Sequence, residues 1–247
     1  PGQQSETTKQ PMMTRAVNKL LLALDTSTRL VGLALYGHSP SGEGVQVLCE
    51  MSWISRDYHT IELAPAVAEA FRKVGVSPQE LGALGVALGP GSFTGLRIGL
   101  ALAKGLALAR RLPIIGIPTL DILTASQPVR AEQLAAVLRA GRGRLAVGWY
   151  HAPAGEWQLH QPIEVLTPAE LAGRISQPTL VCGELTDSER STLERKAPLI
   201  SLASPAAGLR RPAYLAELAW RRWQAGQTDD PAALAPIYLH YNEPIPA

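Results

Sequence analysis

Between Leu81 and Leu96 the chain runs sixteen residues without a charged side chain, yet five of them are glycine and one is Pro90. A membrane span needs roughly 18 or more apolar residues, and glycine and proline weaken any long regular element. The stretch therefore divides. Leu84 to Leu88 reads as a buried strand, GPGSFTG (Gly89 to Gly95) as a glycine-rich loop, and Leu96 to Arg111 as a long helix. Strand, loop and helix in that order mark an α/β fold.

The flanking sequence extends this pattern. Leu21 to Gly37 (LLALDTSTRLVGLALYG) reads as strand, tight polar turn, strand, and Gly44 to Trp53 as a third strand. A helix follows in which Leu63, Val67, Ala70, Phe71 and Val74 recur at the helical period. Pro65 is expected in its first turn. LPIIGIP supplies another strand. After Gln127 the order starts again: Leu134 to Leu138 and Arg144 to Tyr150 as a strand pair, Gly155 to Leu166 as another, then a helix with Thr167 at its N-cap and Pro168 at N1. TLVCGEL is a strand, and a helix around Ala213 to Ala225 precedes the exit. The expectation is two α/β lobes with a mixed sheet in each. A flexible leader occupies residues 1–18, with Met12 or Met13 as native starts. The N-terminal lobe is placed at 19–127 and the C-terminal lobe at 128–247, its last helix packing back on the first lobe.

Composition enters here. The 247 residues carry 23 Lys plus Arg and 21 Asp plus Glu, a net charge of +2; only 18% are charged and mean hydropathy is +0.05. Soluble domains carry about 25% charged residues, so an apolar surplus must be buried. The near-neutral balance argues against a surface built to capture nucleic acid. Cys49 and Cys182 sit singly in apolar runs, and Pro1 to Asn18 has no apolar central region. A reducing cytoplasm without a disulfide framework, signal peptide or membrane association is the expectation.

Three candidate sites stand out. Gly89, Gly91 and Ser92 lie where a helix N-terminus favours an anion, although the spacing matches neither the dinucleotide fingerprint nor a Walker loop. The alternative is that the glycines permit close packing and that Ser92 or Thr94 caps the helix. Asp25, Thr26 and Ser27 follow the first strand; they suit a magnesium-bound phosphate, or closure of a tight turn. The third is the helix after the glycine loop. Leucines and isoleucine spread around it while Arg97, Lys104 and Arg111 form one narrow polar stripe. Such a helix is either sandwiched within its own lobe or covered by a partner together with the neighbouring helix. Histidines 38, 59, 151, 160 and 240 show no metal-ligand spacing. Arginines 139, 142, 144 and 210, 211, 221, 222 cluster weakly and read as solvated faces.

LLALDTST together with ALGPGSFTGLRIGLALAKGLALARRLPIIGIPTL resembles the TsaB (YeaZ) family of the actin-like, sugar-kinase and heat-shock ATPase superfamily, strongly over Leu20 to Leu123. A looser match rests on His59, Thr60 and Glu62, and Arg139-Ala140 stands where the family commonly has Asp-Ala. The resemblance implies a two-lobed actin-like fold and a scaffold without activity of its own, which supports threonylcarbamoyl transfer to tRNA adenosine by its paralogue TsaD. That paralogue carries a histidine pair for a metal; here Thr119 and Leu123 occupy those positions. The implied partners are TsaD, the ATPase TsaE, and a second copy when TsaD is absent, with tRNA reached indirectly. Leu63, Val67, Phe71, Leu96, Arg97, Leu100 and Lys104 are the expected interface residues. Two alternatives are an ATP- or ADP-binding enzyme using magnesium at Asp25 and the glycine loop, and a metallopeptidase.

Overall fold

The computed structural model describes residues 20–39, 44–56, 59–195 and 198–239, with the backbone alone for His59 and Thr60. The expected leader, His240 and the side chains of His59 and Thr60 lie outside the described residues. Eleven strands and six α-helices follow among the described residues. The first half supplies β1 (Leu20–Asp25), β2 (Leu30–His38), β3 (Val45–Ile54), α1 (His59–Val74), β4 (Leu81–Ala87), α2 (Phe93–Arg110), β5 (Ile114–Ile117) and α3 (Thr119–Ala125). The second supplies β6 (Gln133–Gly141), β7 (Arg144–His151), β8 (Gln158–Leu159), β9 (Glu164–Leu166), α4 (Pro168–Arg174), β10 (Thr179–Gly183), α5 (Asp187–Glu194), β11 (Ile200–Leu202) and α6 (Pro212–Gln224). Pro65 departs from expectation, falling inside α1 rather than in its first turn. It lies on the exposed side, as does Ile61 four residues earlier, so the carbonyl that loses its partner faces water.

Both lobes have one strand order. In the first sheet β3-β2-β1-β4-β5 has β1–β2 and β2–β3 antiparallel, and β1–β4 and β4–β5 parallel. In the second, β8 and β9 both pair with β7, then β6, β10 and β11 follow with the same senses. This is the two-lobed actin-like architecture, an antiparallel meander extended by parallel crossovers in each lobe.

Two helices, α3 and α6, do not stay with the half of the chain that encodes them. Leu20, Leu22 and Leu24 of β1 face α1 and α2, whereas Leu21 and Ala23 face Leu215, Ala216 and Ala219 of α6. The strand is buried on both faces, which explains its unbroken apolar run. The second sheet packs α4 and α5 against Val137, Val147 and Val181. Its other face takes Leu120 and Leu123 of α3 against Leu134, Ala136 and Cys182. Each sheet is thus closed on one side by a helix from the other half of the sequence. Burial pushes the Cys182 thiol up to about 12, which keeps it an inert apolar filler.

Two contacts set the geometry between these layers. Where the β1–β2 turn meets α2, a Cβ on Gly91 or Gly95 would collide with the carbonyl oxygens of Ser27 or Thr26. The approach is locked by the Ser92 N–H donating to the Ser27 carbonyl at 2.6 Å and the Thr26 hydroxyl donating to the Gly95 carbonyl at 2.7 Å. The second contact is Arg210, just before α6, whose side chain is fully buried. Its Nε donates to Asp25 Oδ2 at 2.8 Å, its Nη1 to Glu184, and its Nη2 to Thr28 Oγ1 at 2.8 Å and the Leu30 carbonyl at 3.1 Å. Burial opposes the charged guanidinium, but the two carboxylates more than offset it.

Arg210→Ala strands Asp25 in the interior without its cation, and is expected to lower the unfolding free energy by about 3–5 kcal/mol; an unchanged denaturant midpoint would contradict this. Gly95→Ala should also destabilise, by about 1–3 kcal/mol through overpacking, although alanine is the better helix former. Gly105, on the same helix with open space around its α-carbon, is the control: Gly105→Ala should raise the melting temperature slightly.

Candidate functional site

The expected anion site resolves into two parts. Asp25, Thr26 and Ser27 are buried. Asp25 Oδ1 accepts from the Ser27 N–H at 2.9 Å and the Ser27 hydroxyl at 2.5 Å, and Oδ2 holds Arg210. Both carboxylate oxygens therefore close the turn and pair the buried cation. Gly89 has φ near 105°, a left-handed conformation that suits glycine. Its N–H donates to Thr119 Oγ1 at 2.9 Å and its carbonyl accepts from the Thr119 N–H at 2.8 Å. Ser92 caps α2, its hydroxyl accepting from the Gly95 N–H at 3.2 Å. Gly91 and Ser92 reach the surface, where they line a cleft of about 740 Å³ between the lobes with Thr28, Arg139 and Tyr238.

The chain beyond α6 returns to this point. The Ile237 N–H donates to the Leu88 carbonyl at 2.7 Å, and Tyr238 stacks on Phe93 with 5.1 Å between ring centres. Arg97 lies 3.6 Å over the Phe93 ring and donates to the Tyr238 hydroxyl at 2.9 Å. The resulting stack forms one wall of a second depression.

That depression is a groove of about 450 Å³ between α1 and α2, lined by Leu63, Ala64, Phe93, Arg97, Ala101 and Leu102 among others. Burial bears on the expected interface set. Leu63, Phe71, Leu96 and Leu100 are only 1–6% exposed; Leu63, Phe71 and Leu100 pack in the core of the first lobe, Leu63 also bordering the groove. Val67 and Lys104 are half-buried and Arg97 is exposed. The outward apolar surface is a different set: Ile61 at 67% exposure, Phe93 at 54% and Leu108 at 71%, with Ala64, Ala101, Gly105 and Ala109 between them. The sandwiched reading of α2 also fails, since one side of it remains open.

Of the arginines expected on solvated faces Arg210 is buried and Arg222 is half-buried, pairing with Asp229 at 3.1 Å, whereas Arg211 beside Glu50 and Arg221 beside Glu156 at 3.0 Å are exposed. Arg139 lines the cleft with Glu189 4.0 Å away. Thr119 pins the glycine loop, and Leu123 is fully buried in the second lobe's core. Sequence reasoning missed Glu184 and Tyr238, and placed Arg210 on a solvated face instead of in the interior. Arg210 lies 185 residues from Asp25, and no spacing rule reaches that far.

Residues 53–208 match the family described as TsaD, tRNA N6-adenosine threonylcarbamoyltransferase. The chain is 29% identical over 177 residues to the tRNA threonylcarbamoyladenosine biosynthesis protein TsaB of Bacillus subtilis, covering 70% of this chain and 75% of that protein. It is 32% identical over 160 residues to TsaB of Escherichia coli, covering 64% of this chain and 66% of that protein. Among solved structures it is similar to YeaZ from Pseudomonas aeruginosa, with a TM-score of 0.71 at 28% identity over 90% of this chain and 100% of that one. With the duplicated strand order and the GPGSFTGLRIG loop on one scaffold, the chain belongs to the TsaB (YeaZ) branch of the TsaD family, the tRNA threonylcarbamoyladenosine biosynthesis proteins.

Proposed function

We propose that this protein is a scaffold subunit without activity of its own, which docks on the catalytic paralogue TsaD through the α1–α2 groove and so enables threonylcarbamoyl transfer to tRNA adenosine. The observation that carries the reading is the apolar groove lined by Leu63, Ala64, Phe93, Ile98, Ala101 and Leu102, with Leu108 exposed further along α2 and Ile61 exposed on α1. Small side chains let a partner's helices approach closely, and exposed apolar area on this scale is a recurrent mark of a protein interface. TsaE would join the assembled pair, and a second copy would cover the groove when TsaD is absent. The many ion-paired arginines favour tRNA contact through the partner rather than through this chain.

Ala101→Glu and Leu108→Glu, both on exposed positions, are expected to leave the fold intact and weaken co-elution with TsaD more than tenfold, or about 1.4 kcal/mol. Full retention of complex and of tRNA modification by both variants would overturn the assignment. Leu100→Glu is unsuitable, since it places a charge in the core.

A second reading keeps nucleotide in view, because the cleft between the lobes brings Gly91 and Ser92 opposite Arg139. Asp25 is the weak point of that reading, as both its oxygens are engaged. Calorimetry of the isolated chain with ATP or ADP and magnesium is expected to show no tight binding; saturable heats with turnover would favour the enzyme instead.

A further inference from the structure

On the opposite side of the first sheet from the α1–α2 groove, a separate cavity of about 310 Å³ opens between α3, α6 and the connection from β7 to β8. Its size falls in the range of small-ligand sites. What distinguishes it is that the open polar atoms of Asp121 and Gln127 are acceptors, whereas its donors belong to the exposed Arg221 and the half-buried Tyr214.

Asp121 sits in the first turn of α3 and accepts the Tyr150 hydroxyl on Oδ1 at 2.7 Å. Burial pushes its carboxyl up, and the Tyr150 hydrogen bond draws it only part of the way back; no cationic group contributes. Gln127 is 6% exposed, and its amide nitrogen donates to Ser126 Oγ at 2.8 Å and the Ala207 carbonyl at 2.6 Å. Its Oε1 has no donor among the described residues. No buried side-chain oxygen or nitrogen there lacks a partner, so Oε1 and the second oxygen of Asp121 meet the cavity. Glu217 adds another carboxylate from α6, and Arg221, on the same helix and about half exposed, gives one N–H to Glu156 at 3.0 Å. Trp157 and Tyr214 supply aromatic walls, and the indole is fixed by donating to the Gln127 carbonyl at 3.2 Å.

At the Asp121–Gln127 end an anion would meet a carboxylate and an amide oxygen, and a neutral apolar ligand would leave both without donors. A group rich in N–H donors and positively charged satisfies both, and the aromatic rings favour a cation with a carbon chain. We propose that this cavity binds a small organic cation bearing an ammonium or guanidinium group, with Asp121, Gln127 and Glu217 accepting its hydrogen bonds and Trp157 and Tyr214 flanking its chain. The site is independent of the groove proposed for TsaD.

The test is calorimetry on the full chain with agmatine, with cadaverine, and with an arginine blocked at both ends to stand for a protein side chain; glutarate is the anionic control. Saturable binding of agmatine or cadaverine is expected, weakened at least fivefold by Glu217→Gln and by Asp121→Asn and unaltered by Glu194→Gln on α5. Preference for the blocked arginine over both free amines would assign the cation to a partner protein's side chain instead of a free ligand and overturn the small-molecule form. Asp121 is faced by Tyr150 from β7, Glu156 from the connection, and Tyr214, Glu217, Arg221 and Arg222 from α6. Its raised carboxyl pKa means ionisation, and with it affinity, falls on acidification at a higher pH than for an ordinary carboxylate. Asp121→Asn should remove that dependence. No saturable binding of any cation, binding of glutarate instead, or agmatine affinity unmoved by the surface variant Glu217→Gln would overturn the proposal, and that variant keeps the test valid if Asp121→Asn fails to fold.

Discussion

A single buried guanidinium joins the parts of this molecule that most need to be held in register. Arg210 enters from the segment before α6 and meets Asp25 at the end of β1, Thr28 and Leu30 across the following turn, and Glu184 after β10. The planar fork of arginine satisfies several acceptors in different directions, which a lysine ammonium cannot do with the same geometry. Burying one charge without partners would be prohibitive; burying it between two carboxylates, a hydroxyl and a carbonyl makes the arrangement specific. Asp25 thereby acquires a structural role at a position that, in isolation, looks chemical.

The exchange of helices follows from the same demand for coverage. Each sheet is apolar on both faces, and the helices encoded within its own half cover only one. α3 and α6 close the remaining faces by crossing to the other lobe. This resolves part of the apolar surplus in the composition. It does not cover the outer side of α2, where Leu108 remains 71% exposed. The glycine-rich turn works within the same scheme: Gly91 and Gly95 admit the backbone of the β1–β2 turn at a distance no Cβ allows. Two N–H groups at the helix N-terminus are consequently taken by the protein itself, that of Ser92 by the Ser27 carbonyl and that of Gly95 by the Ser92 hydroxyl.

The two surface features then differ in character. The α1–α2 groove is apolar, with Arg97 held flat over Phe93 by Tyr238, so the one charge at its rim is tied to an aromatic stack. The α3–α6 cavity is polar, with the acceptors of Asp121 and Gln127 on its wall. Apolar burial with small residues favours a macromolecular face, whereas a few fixed polar atoms between aromatic walls favour a compact ligand.

By itself the sequence determined the elements and the architecture. Local patterns carry that information: the unbroken apolar run of β1, the helical period of α1, the Thr167 N-cap of α4, and a strand order written twice. It also determined the family, because GPGSFTGLRIG is a contiguous string. The short elements α3, α5 and β11 carried too little periodicity to be read. Only the tertiary structure decided which side of each helix faces inward, so that Leu63, Phe71, Leu96 and Leu100 became core while Ile61, Phe93 and Leu108 became surface. Periodicity defines an apolar stripe, but the rotation of an almost uniformly apolar helix such as α2 is set by the sheet it lands on. The same holds for Asp25, whose chemistry was fixed by an arginine 185 residues away; long-range pairing of two charges leaves no trace in local sequence.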